Sequence, residues 1–438
     1  MTREQLASIE EALVEFVRAF RPCFKQDRSF DHLRTYSVGL LTDLHRKSIE
    51  PIALAAGVDE RTLQWFLSKM VWDHQRAQDL LQHIVANRHD CPEPIGVIDS
   101  SGHTKRGDKT PGVQRQWCGE RGKNENCVVG QHLLYTDNHL PNPFSCMLAS
   151  DLYLPQSWSD DRQRCRAAGI PDDLVYRPKW QIAVEQLEQA LGNGIRLAWV
   201  TFDEEYGTVP QFWFALDRLG LRGMGEVQPR FNAWATPPCC RSGRAEHSSK
   251  RVDHLVGHSP VFTKQPWVKY RIKRTTRGAV VWEVKAAPVQ LVAQKDPAHH
   301  GHSTPTDRRY WLIAARNPKT NEMKYFVSNA PQSTPLEKLL EVGWARWHVE
   351  KWFERAKQEA GLGAFEVRTY NSLIRHWLIC RMVMLFLTEQ TVRLRGEKSA
   401  DHVRTSRPRS QRGRVVRVEA SSAVQRRSVQ KESVLSVA

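Results

Sequence analysis

The chain has 438 residues and carries 64 Lys and Arg against 48 Asp and Glu, for a formal net charge of +16. That length can bury several apolar cores without disulfides or metals to hold them, and the cationic excess favours a polyanionic partner, nucleic acid first, through attraction and counterion release. Nine cysteines, an odd number without repeated spacing, fit reduced thiols and not a disulfide framework.

Residues 1–90 read as helical. Leu6, Ile9, Leu13, Phe16 and Phe20 recur at helical spacing, as do Leu63, Phe66, Leu67 and Met70, with Pro51 as punctuation. Acids throughout the first twenty residues leave no apolar core of the signal-peptide kind, so the expected location is cytoplasmic.

After Cys91 the texture changes to short β-like runs at Ile95 to Asp99, Cys127 to Tyr135 and Phe144 to Leu154, bounded by Gly, Asn, Asp or Pro. They suggest an antiparallel meander. A helix near Trp180 to Leu191, a run Leu197 to Phe202, a second helix near Val209 to Arg218 and a strand near Gly223 to Val227 follow. Such β-α-β alternation implies parallel strands with crossover helices. Over 91–228 the order βββαβαβ is that of an RNase H-like mixed α/β sheet, in which the first and fourth strands lie side by side and parallel. Their C-terminal ends share one sheet edge, where ligands of open α/β sheets bind.

Residues 229–330 turn β-rich, with runs at Lys269 to Lys273, Val280 to Val292 and Tyr310 to Ala315, and read as an inserted β subdomain. Helices return in 331–395, from Pro335 to about Ala360 and from Asn371 to Leu394. The apolar stretch Leu373 to Leu387 is broken by Arg375, His376 and Arg381 and falls short of the roughly 20 residues of a membrane span, which makes it a buried helix. Residues 396–438, rich in Arg, Ser and Val without pattern, read as a basic disordered tail.

Asp99 closes the apolar run Ile95 to Ile98, and Asp203 closes Leu197 to Phe202 in the same manner. Two acids at the C-terminal ends of adjacent parallel strands approach closely enough to share a hard cation such as Mg²⁺. The ordinary alternative is that each Asp begins a turn. Glu204 and Glu205 compete with Asp203 as the ligand, but Glu204 points to the opposite face if the strand continues. Arg346, Glu350 and Lys357 share one helical stripe, an arrangement that serves a phosphodiester site when Glu binds metal and the cations bind phosphate. The ordinary alternative is a solvated face with i,i+4 ion pairs.

At these residues the sequence resembles the DDE transposases of bacterial insertion sequences, in the branch with a β insertion between the second Asp and the Glu. The resemblance runs from about Ile95 to Leu394. It is carried by Ile98-Asp99-Ser-Ser-Gly102 with Gly107, Arg115-Gln-Trp-Cys-Gly119, Gly122-Lys-Asn-Glu-Asn126, Phe202-Asp203-Glu-Glu-Tyr-Gly207, and Arg346-Trp-His-Val-Glu350 continuing through Phe353 and Lys357 to Gly361-Leu362 and Glu366-Val-Arg368. The family's Tyr-Arg-Glu-Lys signature is met at Arg346, Glu350 and Lys357, whereas its tyrosine falls on Gly343, with Trp344 beside it as an aromatic surface. The tail after Gly396 has no counterpart in the family; it is either a natural linker or the product of a frame change in a decaying element, and its loss of pattern favours the latter.

The resemblance implies a two-metal endonuclease and strand transferase. Asp99 would bridge two Mg²⁺ ions, or Mn²⁺ in their place, about 3.5–4 Å apart, with Asp203 and Glu350 each completing a site. The implied partners are the element's terminal inverted repeats, bound by the N-terminal helices, and target DNA, the whole working as a homodimer near the bacterial nucleoid. Arg346 and Lys357 would contact phosphates. Lys105, Arg106, Lys109, Arg121, Lys123, Arg368 and Arg375 flank the motifs and are further backbone contacts. Trp117 or Trp344, if exposed, would stack on an unpaired base. A catalytically silent DNA-binding derivative or inhibitor of transposition is the rival reading, against which the three retained acids speak, and a nuclease that does not join ends is a third. Cys239, Cys240, His247, His254 and His258 are ligand types for zinc, but without a Cys-x-x-Cys pair their spacing argues against it.

Overall fold

The computed structural model describes residues 3–140, 142–241, 244–275, 278–295 and 303–404. Five helices open it: α1 (Arg3–Arg18), α2 (Asp27–Leu41), α3 (Ile49–Ala56), α4 (Glu60–Ser68) and α5 (His74–Arg88). Their periodic apolar side chains, Ile9, Leu13, Phe16, Leu63, Phe66 and Leu67 among them, are buried. Asp59 and Asp73 cap α4 and α5 by accepting from the backbone N–H groups of Arg61 and Arg76, satisfying donors that a helix start leaves orphaned.

The sheet begins with β1 (Ile95–Thr104), β2 (Gln114–Cys118), β3 (Lys123–Thr136) and β4 (Ser145–Leu152). All pair antiparallel, β3 with β1 and β4 and, at its start, with β2. Three helices, α6 (Gln156–Ser159), α7 (Arg162–Ala167) and α8 (Lys179–Gly192), lead to β5 (Trp199–Phe202), which lies parallel to β1. Then α9 (Glu204–Gly207) and α10 (Pro210–Arg218) lead to β6 (Arg222–Val227), parallel to β5. The lateral order β4-β3-β1-β5-β6 is that of the RNase H-like fold, with the first and fourth strands of the core adjacent and parallel as its pattern requires. The strand β2 and the short helices α6 and α7 were not legible in advance.

The following β-rich region does not form a sheet of its own. It comprises β7 (Asn232–Trp234), β8 (Cys240–Arg241), β9 (Arg244–Ala245), β10 (Lys250–Arg251), α11 (Val252–His258), α12 (Pro260–Thr263), β11 (Val268–Thr275), β12 (Gly278–Lys295), β13 (Ser303–Pro305), β14 (Tyr310–Arg316) and β15 (Met323–Ser328). β15 pairs with β6, β14 with β15, and β12 with β14, so one sheet of 13 strands runs through both regions. The open edge of β6 would leave a row of unpaired backbone groups, and β15 covers it with Phe326 and Val327 buried. Among the described residues only the hairpin β8-β9 stands apart. His254 and His258 sit one turn apart on α11, and Cys239 and Cys240 are exposed.

The helical stretch expected from Pro335 to Ala360 is two helices, α13 (Leu336–Trp344) and α14 (Trp347–Glu359), with the break at Ala345 and Arg346. The last helix, α15 (Tyr370–Arg404), also departs from expectation, because it passes through Gly396. A single glycine costs a helix only about 1 kcal/mol and does not stop it. The rest of the expected tail, 405–438, lies outside the described residues.

Helix α15 lies on β4 and against α1, α2, α4 and α5, joining the N-terminal helices to the sheet. Arg375, His376 and Arg381 on its buried face each donate to frame carbonyls. Arg375 donates to the carbonyls of Phe66, Leu67, Met70 and Trp72, at and just beyond the end of α4, where helical carbonyls lack partners. The register between β3 and β4 slips at Leu148, and the carbonyl this bulge frees accepts from Gln78, Gln82 and Arg381. His376 donates Nε2–H to the Gly361 carbonyl and therefore accepts the Tyr36 hydroxyl at Nδ1, at 2.9 Å. This apolar helix is thus a core element, and among the described residues no helix is long and apolar enough to cross a membrane.

Candidate active site

Asp99 does not stand at a strand end. β1 continues to Thr104, with Asp99 opposite His132 of β3, while on its other side β5 stops at Phe202, opposite Ile98. The carboxyl is freed because the parallel neighbour ends, not because β1 does. Asp203 follows directly on β5, where the chain turns into α9, and its Oδ1 accepts from Glu205 N at 2.9 Å as the helix cap. The strand therefore does not continue, and the facing argument about Glu204 does not apply. Gly207 closes this turn against β6, where a Cβ would lie 2.0 Å from the Glu226 carbonyl oxygen. Only glycine allows α9 to sit so close.

Arg346 joins the third acid to this pair. One arm of its guanidinium lies 3.3 Å from Asp99 Oδ2 and the other 2.8 Å from Glu350 Oε1. Asp99 is nearly buried at 15% side-chain exposure, whereas Glu350, in the first turn of α14, is 58% exposed. Asp99 and Asp203 are held above the usual carboxylate range. Burial is the main cause for Asp99, followed by repulsion from Asp203, partly offset by Arg346 and the Ser100 N–H. Burial again leads for Asp203, followed by repulsion from Glu205 and relief from Arg346. Two convergent carboxyls that resist ionising together form an oxygen donor set that a hard dication relieves. Among the described residues no three His, Cys, Asp or Glu side chains form a closed metal cage. Glu350 reaches the pair only through Arg346.

Both ordinary readings of these residues are locally true as well. Asp203 does cap a turn, and Arg346 and Glu350 do form an i,i+4 ion pair.

The other basic residues divide. Lys357 reaches Glu120 Oε2 at 3.1 Å, at the tip of the β2-β3 hairpin. Arg106, Lys109, Arg121, Lys123 and Arg368 are exposed, with Lys109 near Asp108 and Lys123 paired to Glu125. Two do not fit as backbone contacts. Lys105 turns inward onto the carbonyls of Gly363 and Phe365, with its ammonium 3.5 Å from the Phe365 ring centre, and burial lowers its pKa to about 8. Arg375 is the buried cap of α4 described above. Both are long side chains whose ammonium or guanidinium is better satisfied by orphaned carbonyls than by water.

Trp117 is 62% exposed on β2. Trp344 is not available as a free aromatic surface, because it packs against Trp282 and Phe326 with ring centroids 5.4 and 5.0 Å apart. A Cβ on Gly343 would lie 3.1 Å from Met224 Cε, so a tyrosine here would require the flexible Met224 side chain to shift.

Two contributors had no sequence signal. Lys179, at the start of α8, places Nζ 3.2 Å from Ser100 Oγ and 2.8 Å from Glu205 Oε1, at the edge of the acid pair. Tyr206 is fully buried beside Asp99 and Asp203 and donates its hydroxyl to Gln131. Lys179 comes from a crossover helix whose register onto the sheet no local pattern specifies. Tyr206 lay inside a quoted motif, but its type reads equally well as core.

Comparison with known proteins agrees with this architecture. A curated relative, the probable transposase for insertion sequence element IS701 of Microchaete diplosiphon, is 24% identical over 373 residues, covering 84% of this chain and 85% of its own. A solved structure, the piggyBac transposase synaptic complex with hairpin DNA, aligns at a TM-score of 0.42 and 10% identity over 91% of this chain and 74% of that one. That likeness is too loose to bear on the fold, which rests on the strand order. The family model described as DDE superfamily endonuclease matches residues 19–288, more than half of the chain, taking in Asp99 and Asp203 and ending before α13. The chain belongs to the DDE superfamily endonucleases.

Proposed function

We propose that this DNA transposase cuts the ends of its own element and joins the freed 3′-OH to target DNA, with Asp99, Asp203 and Glu350 as its metal-binding acids. The observation that carries the reading is the meeting of Asp99 and Asp203 where β5 ends, with Arg346 linking Asp99 to Glu350. Divalent cations, Mg²⁺ or in its place Mn²⁺, when bound there lower the pKa of an attacking water and stabilise the departing 3′ oxygen. The acids supply hard oxygen donors and, being raised by burial and mutual repulsion, gain most from a dication. Glu350, exposed on the first turn of α14 and tied through Arg346 to Asp99, would leave Arg346 to complete the set. Arg346, released from Asp99, and Lys357 hold the phosphates of the scissile strand. Exposed Arg106, Arg121, Lys123 and Arg368 track the flanking backbone. The working form is a dimer bridging two ends in the cytoplasm of a bacterium, near the nucleoid.

The test is strand cleavage of a duplex carrying the terminal repeat that flanks the gene, in Mg²⁺ and in Mn²⁺. Wild type nicks and joins, and Asp203→Ala does neither. An Asp203→Ala protein that cuts as well as wild type overturns the proposal, and specific binding without any cleavage by wild type supports the silent DNA-binding derivative instead.

A further inference from the structure

We infer that α2, α3 and α4 form a tri-helical helix-turn-helix unit in which α4 reads the base edges of the element's end. This deepens the transposase reading and rests on it, assigning the choice of DNA to a surface separate from the acids that cut it. α3 and α4 are joined by three residues, Gly57, Val58 and Asp59. Gly57 takes the left-handed conformation at φ +64, Val58 N returns to the Ala53 carbonyl, and Asp59 caps α4. The chain thus ends one helix and starts the next within a single turn, the connection of the helix-turn-helix motif. α2 packs on both helices. At its closest approach, a Cβ on Gly39 would lie 2.3 Å from Ile52 Cγ2.

The inward face of α4 carries Leu63, Phe66 and Leu67, all fully buried. Its outward face carries Arg61, Gln64, Trp65 and Lys69, all exposed, with Trp65 at 50%. Trp65 lies between two cations on this solvent face, with the Lys69 ammonium 6.0 Å from its ring centre. Arg and Gln are the side chains that pair with guanine and adenine in the major groove. Beside this face, Lys25, just before α2, and Arg28, in its first turn, line a cleft with Thr62, Trp65 and Lys69, and no acid lines it. Among the described residues no carboxylate pairs with Lys25, Arg28, Arg61 or Lys69, and the nearby Asp27 is held by Arg21. The one acid within α4, Glu60, sits in its first turn, where a carboxylate can accept from cytosine N4. A helix laid in the major groove with a cationic cleft on its flank fits duplex DNA, the helix touching bases and the cleft a phosphate strand.

Fluorescence anisotropy with the full chain tests this, comparing a duplex of the element's terminal repeat with a shuffled duplex of the same composition. The Arg61→Ala/Gln64→Ala variant is expected to lose roughly fivefold or more of the preference for the end, since one bidentate base contact contributes about 5- to 150-fold. Lys25→Ala/Arg28→Ala is expected to weaken both duplexes alike and to flatten the dependence of log K on log salt by up to about 2. Retention of the full end preference by the first variant, or an unchanged salt slope in the second, overturns the inference. Both variants should unfold in urea at the wild-type midpoint, and a lowered midpoint in the first would assign α4 a structural role and refute recognition. If wild type itself does not nick, the proposed chemistry fails while the anisotropy still decides the role of α4.

Discussion

Replacing Asp99 with Asn should stabilise the metal-free protein at pH 8 while abolishing cleavage. The Asp99 carboxyl is pushed up to about 7, first by burial and then by Asp203, from an unfolded value near 3.9. Below pH 4 it is neutral in both states and contributes nothing. As pH rises past 4 the unfolded chain ionises freely and the folded one does not, so a penalty builds until about pH 7 and is constant above. Its ceiling at pH 8 is on the order of 4 kcal/mol. Asp203 shares the same repulsion, so the two acids do not each carry a full penalty. Asn keeps an oxygen for the Ser100 N–H, and Arg346 retains Glu350. At about 1 °C per kcal/mol for a chain of this length, thermal denaturation in EDTA should place Asp99→Asn roughly 2–4 °C above wild type at pH 8, with less than half that gap at pH 5. Saturating Mg²⁺ should raise the wild type and leave the variant in place. A variant that melts at or below wild type at pH 8, or a gap that does not narrow at pH 5, refutes the account of a carboxyl held above its usual range by burial and by Asp203.

Arg346→Gln removes the cation between Asp99 and Glu350, so the metal-free protein should melt lower. Mn²⁺ titrated calorimetrically should bind tighter by roughly the 1 kcal/mol of a part-exposed charge, and weaker binding would contradict the competing-cation role. Gly207→Ala drives a methyl into the Glu226 carbonyl and should cost more than about 2 kcal/mol in urea unfolding, with loss of nicking because Asp203 starts the same turn. An unchanged urea midpoint would show that α9 shifts freely. Arg375→Ala takes the donor from the Leu67 and Met70 carbonyls, while Phe66 O keeps Trp72 Nε1 and Trp72 O keeps His74 N, and should cost about 2 kcal/mol or more by the same measurement. A change under about 0.5 kcal/mol would mean water replaces the guanidinium.

The strand order of the core was legible because each element carried its own periodicity and the β-α-β alternation left one arrangement for β1, β5 and β6. The position of Asp99 was misread for a related reason. Ser100, Ser101, Gly102 and His103 look like a polar turn, but β3 pairs with them through Thr104, and Ser101 and His103 are buried. Polar side chains signal a turn only when no neighbouring strand is waiting to pair. Lys105 and Arg375 looked like phosphate contacts because composition counts charges and not directions, whereas in the fold Lys105 finds carbonyls of the connection between α14 and α15 and Arg375 those around the end of α4. The break between α13 and α14 falls at Ala345 and Arg346, just past Gly343 in the last turn of α13, with no glycine or proline at the break itself. Arg346 itself stays in the right-handed helical region at φ −53 and ψ −31, so the change of direction comes from packing and not from a residue that forbids helix.

The β-rich region between the second Asp and the Glu has a placing role that follows from its continuity with the core sheet. β15 returns antiparallel alongside β6, and the chain then passes into α13, which lies on β5, β6 and β11, before α14 crosses β1 with Glu350 and Arg346 in its first turns. Trp344, at the end of α13, is held between Trp282 of β12 and Phe326 of β15. The position of Arg346, two residues later, is therefore referenced to strands of the insertion as well as to Asp99. A change that loosens the β12-β15 face should move the Arg346–Glu350 pair relative to Asp99 without touching any acid. Trp282→Ala is the direct case. It removes one wall of the Trp344 site and should cost about 3 kcal/mol or more in urea unfolding, and in conditions where the variant is still folded its nicking should fall while binding to the end duplex is retained. A variant that loses stability but cleaves at the wild-type rate per folded molecule would show that α14 is placed by β1 and α15 alone.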